Sequence, residues 1–324
     1  MRGRIVLDCL IGIDVGTTSV KAVMIDLTGR RIAQFSQRYP THHPGAGLVE
    51  QDPQDWWRLV ILALTDFASH GRKVQAVCLT SQVNTHVFTD RSLRVLHPAI
   101  VWQDGRAAVC AARIDAAIAV EDKIRWLGAP IPVDASHALA RMAWMAETHP
   151  ELWAQTAHVM LPRDYLLARL TGVVAADPLS AVGLVGPDMN YAEAMIDLLP
   201  GARSRLAAVN DPLSVAGTLL QGLPFAGTRV VLGVMDAWAS MFGLGVSRHG
   251  QAMYLSGTSE VLGLISSSVY PEPGVITFPS WAGITLHAGP TQAGGASLDW
   301  VARLLGRDGD ELAAGAARIT PNSP

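Results

Sequence analysis

The chain has 324 residues, 49% of them hydrophobic and 16% charged, a composition that supplies ample core and excludes a disordered or collagen-like chain. At roughly 100–200 residues per domain, the length suggests two domains, with one large or three small ones as alternatives. Net charge is −3, from 25 basic and 28 acidic residues, and the Arg residues form no basic stripe, so the pattern predicts a small-molecule partner rather than nucleic acid or an anionic membrane.

In chain order, Leu10 to Val15 is a short apolar strand and Gly16-Thr17-Thr18-Ser19 has turn chemistry. Val20 to Leu27 is a second β run, Thr28-Gly29-Arg30 turns again, and Arg31 to Tyr39 alternates weakly. A helix then starts with Asp52 as N-cap and Pro53 at the first position, its apolar period carried by Trp56, Leu59, Val60, Ala63, Leu64 and Phe67. Val74 to Thr80 reads as a strand, and His86-Val87-Phe88 follows as another β run. The stretch from Arg106 to Leu199 is expected to be mostly helical, most clearly over Ala138 to Glu147, which His149-Pro150 ends. Arg229 to Val234 is a fully apolar strand closing on Met235-Asp236, with a helix-like run from Ala237 to Leu244. Ala252 to Ser256 enters Gly257-Thr258-Ser259 and leaves as Val261 to Ile265, repeating the opening strand–turn–strand. An internal duplication with one copy starting each domain places the boundary so that residues 1–246 form one domain and 247–324 the other.

Cys9, Cys78 and Cys110 show no C-x-x-C spacing, and the histidines no H-E-x-x-H, so free thiols without a structural metal are expected. Asp8 and Asp14 interrupt the N-terminal apolar run and no small-residue cleavage site follows, which argues against a signal peptide. No apolar stretch is long enough to span a membrane, and the chain reads as cytoplasmic.

Five segments could carry chemistry. A Gly-rich hairpin turn at Asp14-x-Gly16-Thr17-Thr18-Ser19 can aim backbone N–H groups at a phosphate, with Asp14 holding Mg2+ through its water shell; an ordinary β-turn beside a solvated aspartate is the alternative. The second turn at Ser256 to Ser259 favours the first reading, since two such hairpins across an interdomain cleft would grip a nucleotide's phosphates. Asp236 stands at a strand's C-terminal edge, where it can act as the base of a phosphoryl transfer or simply cap the following helix. Trp102-Gln103-Asp104-Gly105-Arg106 combines a flat ring with amide, carboxylate and guanidinium groups, suited to a polyol or equally to a strand end with a buried Trp and a local ion pair. Gln82-Val83-Asn84 is similarly polar and similarly open. No G-x-G-x-x-G or Walker loop is present, which disfavours Rossmann dehydrogenases and P-loop kinases.

Taken in order, these motifs resemble the FGGY carbohydrate kinases of the actin-like ATPase superfamily, and among them xylulokinases most. The matching segments are Ile11 to Lys21, Glu50-Gln51-Asp52-Pro53 with Trp56-Trp57, Pro98 to Arg106, Leu161 to Tyr165, Leu170-Thr171-Gly172, Gly233-x-x-Asp236, Ser256 to Ser259 and Gly294 to Trp300. The resemblance implies an α/β actin-like ATPase (ribonuclease H-like) fold, with a complete N-terminal domain of mixed sheet and helices and a second, similar domain only partly present. It implies ATP-dependent phosphorylation of a sugar or polyol, with ATP and Mg2+ required. Asp236 would be the catalytic base, and Asp14 would hold Mg2+ through water. Gly16, Thr17, Thr18 and Ser19 would meet phosphate at one hairpin, and Gly257, Thr258 and Ser259 at the other. Gln82, Val83, Asn84, Trp102, Asp104 and Asp236 would lie near the substrate.

Two departures alter the expected hydroxyl contacts. Val83-Asn84 stands where xylulokinases carry Met-His, and Ala237 where they carry an amide residue. A ketopentose such as xylulose is the leading substrate, with gluconate, ribulose and glycerol as alternatives. The family's adenosine-binding segment has no counterpart before Pro324, which keeps open a non-catalytic sugar-binding remnant; an actin-like ATPase with a protein partner is a weaker option. The incomplete second domain is expected to expose apolar surface, and self-association, for instance as a homodimer, is the consequence.

Overall fold

The computed structural model describes residues 8–256, 260–291 and 294–318. Packing divides the chain into two compact units, the first ending at Ser240 and the second beginning at Met241.

The first unit is organised by a six-stranded mixed sheet. β1 (Asp8–Val15), β2 (Ser19–Asp26) and β3 (Arg31–Arg38) form an antiparallel meander, with Val15 opposite Val20 and Asp14 opposite Lys21. The Val- and Ile-rich alternation drives this: Cys9, Ile11, Ile13 and Val15 all turn to one buried face. After the short β4 (Glu50–Gln51), α1 (Pro53–Ala68) starts where the Asp52-Pro53 signal places it, the Asp52 side chain accepting from the Gln54 N–H at 2.8 Å. Its buried stripe, Trp56, Leu59, Val60, Ala63, Leu64 and Phe67, covers the sheet. β5 (Lys73–Ser81) then pairs parallel with β1.

β6 (Val87–Thr89) and β7 (Ala99–Ile100) lead into a largely helical layer with its own core. It comprises α2 (Ala108–Ala116), α3 (Val120–Leu127), α4 (Ala138–Thr148) and α5 (Pro150–Gln155), after which β8 (His158–Met160) pairs with β6. α6 (Pro162–Thr171) returns to the main sheet and stops at Gly172, whose φ of +78° is the left-handed cap that glycine favours.

The expectation of helix through Leu199 fails beyond this cap. Residues 173–192 contain no helix, and only the one-turn α7 (Glu193–Ile196) follows. The Asp177 carboxylate accepts the N–H groups of Leu179 and Ser180, and side-chain turns of this kind compete with helix. β8 also interrupts the helical stretch, too short to stand out from an apolar run.

β9 (Val215–Thr218) and β10 (Arg229–Val231) complete the sheet in the order β3-β2-β1-β5-β10-β9, with β1, β5 and β10 parallel. The strand expected to reach Val234 ends at Val231, because the chain turns at Gly233. There φ is +77° and a Cβ would lie 2.2 Å from the Leu79 carbonyl oxygen. α8 (Asp236–Gly243) begins directly after this turn.

The second unit carries an antiparallel sheet of β11 (Ala252–Ser256), β12 (Glu260–Ser266), β13 (Ile276–Thr277) and β14 (Thr285–Thr291), in the order β11-β12-β14-β13. One face buries Met253, Ile265, Leu286 and Ala288, while Tyr254, Leu262 and Leu264 stand exposed on the other. α9 (Gly295–Leu304) and α10 (Gly309–Ala316) follow.

Candidate functional site

The C-terminal ends of the parallel strands β1, β5 and β10 lie at one edge of the sheet, the position where open α/β sheets bind ligands. Asp14 is the penultimate residue of β1, and Thr80 is its neighbour on β5. Asp14 Oδ1 is buried without a hydrogen-bond partner, and burial raises this carboxyl's pKa against the opposing pull of Lys21. Beyond it the hairpin turn is tightly built: the Gly16 N–H donates to the Ser19 carbonyl at 3.1 Å, the Tyr39 hydroxyl donates to the Gly16 carbonyl, and Gln51 Nε2 donates to the Thr17 carbonyl at 2.8 Å. Thr18 is exposed at the tip, whereas Ser19 is buried as the first residue of β2.

Asp236 arrives from the other side of β5. The Gly233–Asp236 turn is pinned at successive backbone groups. The Gly233 carbonyl accepts from Arg163 Nη1 at 2.6 Å, the Val234 carbonyl from Thr80 Oγ1 at 2.6 Å, and the Met235 N–H donates to Ser180 Oγ at 2.9 Å. Arg163 is itself buried and ion-paired with Asp164 and, at 2.7 Å, with Asp177. The Asp236 carboxyl is pushed up to about 7, first by burial and then by the negative charge of Asp14, with the Ala237 N–H opposing. That N–H donates to Asp236 Oδ1 at 2.8 Å. Asp236 is itself the first residue of α8 and not the flanking N-cap position, so the geometry departs from the simple helix-cap alternative.

The sugar-side candidates divide into two groups. Val83, Asn84 and Trp102 remain partly accessible, while Gln82 and Asp104 are only 2% and 1% exposed. Gln82 donates to Gln51 and accepts from Thr85, and both Asp104 oxygens bind Arg106 at 2.8 Å. The polar atoms of Gln82 and Asp104 are therefore spent on buried protein partners. Asn84 takes the left-handed conformation, φ +55°, with its amide donating to Ser136 Oγ at 3.1 Å. The Trp102 indole N–H donates to Thr17 Oγ1 at 3.0 Å, which ties the aromatic segment to the hairpin. Gly257, Thr258 and Ser259 lie outside the described residues.

Motif reading overlooked Arg141, which is fully buried on α4 with no carboxylate of the described residues in ion-pair contact. Its guanidinium instead braces the carbonyls of Asn84, Ile100, Val101 and Ala135, the backbone behind Asn84 and Trp102. A signal was present: an Arg on the apolar face of a helix, at helical spacing from Ala138 and Met145. Ser180 and Asp177 carry no comparable sequence signal. A cavity of about 40 Å³ separates Asn84 from Asp177 and Ser180.

No described group of three or more His, Cys, Asp or Glu side chains could hold a metal. Two converging carboxylates, one with an orphaned oxygen, do suit an ion such as Mg2+ that keeps most of its waters.

Comparison with known proteins follows the same lines. The xylulose kinase of Klebsiella pneumoniae is 29% identical over 91% of this chain, and that of Streptomyces rubiginosus 31% over 94%. The chain spans 63% and 65% of the lengths of these two relatives. Ligand-bound xylulose kinase from Lactobacillus acidophilus superposes with a TM-score of 0.87 at 22% identity, covering 97% of this chain and 66% of that one. Xylulose kinase from Rhodospirillum rubrum gives 0.86 at 24%, covering 97% and 67%. These likenesses carry the fold, the actin-like ATPase α/β fold with its central mixed sheet. Residues 9–243 match the N-terminal domain of the FGGY family of carbohydrate kinases, and the chain belongs to that family.

Proposed function

We propose that this chain binds a small sugar or polyol and takes part in its ATP-dependent phosphorylation, with Asp236 as the base. The observation that carries this reading is a carboxyl with a pKa of about 7, set by burial and by Asp14 at the ligand-binding edge of the sheet. A general base works best when its pKa lies near the working pH.

Asp236 Oδ1 is engaged by the Ala237 N–H, leaving Oδ2 to accept the substrate hydroxyl proton as the oxygen attacks the γ-phosphorus and the bond from that phosphorus to the bridging oxygen breaks, releasing ADP. Asp14 would hold Mg2+ through its water shell, and the ion when bound would offset the negative charge of the transferring phosphoryl group. The hairpin at Gly16, Thr17 and Thr18 would border the phosphates, and Gly257, Thr258 and Ser259 are proposed as a second phosphate contact. Trp102 offers a ring face for the apolar side of the sugar. Arg163, Ser180 and Thr80 each hydrogen-bond the main chain that leads into Asp236.

Xylulose is the first substrate to test, because the similar curated proteins named above are xylulose kinases. Asn84 and Ala237 argue for including gluconate, ribulose and glycerol. The experiment is coupled ADP release in the presence of Mg2+ across this panel. Sugar-dependent turnover that disappears in Asp236→Ala is expected. Unchanged sugar-dependent turnover in that variant would remove Asp236 as the base, and calorimetric sugar binding without turnover would restrict the chain to a sugar-binding role.

A further inference from the structure

We infer that Thr17 is a positioning residue for the Trp102 indole, and that a closed circuit of hydrogen bonds holds the hairpin and the Trp102 segment as one piece. The circuit runs through five residues from four parts of the chain. Trp102 Nε1 donates to Thr17 Oγ1 at 3.0 Å, and the Thr17 carbonyl accepts from Gln51 Nε2 at 2.8 Å. Gln51 Oε1 accepts from Gln82 Nε2 at 2.9 Å, and Gln82 Oε1 from Thr85 Oγ1 at 3.1 Å. Thr85 Oγ1 closes the ring by accepting the Trp102 backbone N–H at 3.1 Å.

Gln51 and Thr85 are fully buried and Gln82 is 2% exposed, so water cannot replace a broken bond among these three, while Thr17 and Trp102 are partly buried. Nor can either amide reverse. Gln51 spends its second N–H on Thr41 Oγ1 at 2.8 Å. Turning the amide over would set its oxygen against the Thr17 carbonyl and its N–H groups against those of Gln82. Buried polar groups left unpaired in this way carry their full desolvation cost. The ring therefore has one arrangement, and in it the indole N–H points at the hairpin hydroxyl, fixing the tilt of the ring plane.

This goes beyond the role of Thr17 beside a phosphate: the same hydroxyl sets the surface on which a sugar would lie. The sugar part of the inference rests on the proposed function. A hairpin substitution should thus weaken sugar binding even when no nucleotide is present.

The test uses the full chain labelled with 15N at its indoles, the Trp102 signal being identified by its loss in Trp102→Phe. Thr17→Val keeps the side-chain shape and removes the acceptor; Thr17→Ser keeps the acceptor. In Thr17→Val the Trp102 indole N–H signal should move and its exchange with water accelerate about tenfold, the scale of one lost hydrogen bond, while Thr17→Ser restores both. D-xylulose affinity, measured by calorimetry without nucleotide, should fall roughly three- to tenfold in Thr17→Val and stay within about twofold in Thr17→Ser. An indole signal unmoved in Thr17→Val overturns the inference, as does equal loss of affinity in both variants, which would mean a damaged turn. If the unsubstituted chain binds neither D-xylulose nor glycerol, the sugar reading falls, and the indole signal alone still decides whether Thr17 sets Trp102. Gln51→Leu, which touches neither the indole nor a ligand, should shift the same signal.

Discussion

Replacing Asp236 by Asn tests the electrostatics of the site without any assumption about substrate. The carboxyl sits at about 7 in the folded chain against a reference of 3.8, about three units, and each unit corresponds to about 1.4 kcal/mol. Because the folded value is raised, the neutral form is favoured by folding. Its contribution is fully present below the unfolded pKa and is lost as pH rises through 7. Between pH 5 and pH 8 the native chain should lose about 2.5 kcal/mol from this one group, since the unfolded chain is ionised throughout that window. Asn cannot ionise, and its amide oxygen can still accept the Ala237 N–H. Asp236→Asn should therefore match the unsubstituted chain near pH 5 and exceed it by about 2–3 kcal/mol at pH 8. Urea unfolding at pH 5, 6, 7 and 8 reads the difference directly. Asp14→Asn, which removes the second cause and leaves burial, should move the midpoint of this pH dependence downward without abolishing it. Stability curves for Asp236→Asn and the unsubstituted chain that run parallel from pH 5 to pH 8 would refute the reasoning.

Two further outcomes follow from packing. Arg163→Met should destabilise the first unit by about 3–5 kcal/mol, because Asp164 and Asp177 would be left buried without their cation; a loss below about 1 kcal/mol in urea unfolding would show that the ion cluster does not secure the fold. The exposed apolar face at Tyr254, Leu262 and Leu264 should cause concentration-dependent self-association that Leu262→Glu with Leu264→Glu suppresses. Sedimentation showing a single monomeric species for the unsubstituted chain would remove this expectation.

How much of this could be read from the sequence depended on how local each signal was. The hairpin and α1 were legible because their causes are neighbours in the chain: alternating Val and Ile around Gly16 to Ser19, and Asp52-Pro53 ahead of a helical apolar stripe. The loop after Gly172 was not, since its shape depends on Asp177 turning back on its own backbone and pairing with Arg163. For Gln82 and Asp104, polarity alone gives no direction in the sequence. Each satisfies a buried partner supplied by a distant segment, Gln51 in one case and the Val49 N–H in the other. Arg141 shows the converse, a conspicuous charge on an apolar helix face whose purpose emerges only once four carbonyls surround it.

β10 is only three residues long and has only β9 between it and the sheet's edge, yet it alone carries the chain into Asp236. Asp14, by contrast, rides on β1 in the sheet interior, and more than two hundred residues of chain separate the two carboxylates. They meet only when a strand distant in sequence is docked beside β5. Opening of an outer strand is among the cheaper fluctuations of a folded domain. Fraying of β9 and β10 would withdraw Asp236 while leaving the meander, α1 and the helical core in place, a chain still folded by most measures but without the base proposed above. Amide exchange at Val230 and Val231, compared with that at Val77 and Leu79 on β5, would measure how often the site comes apart on its own.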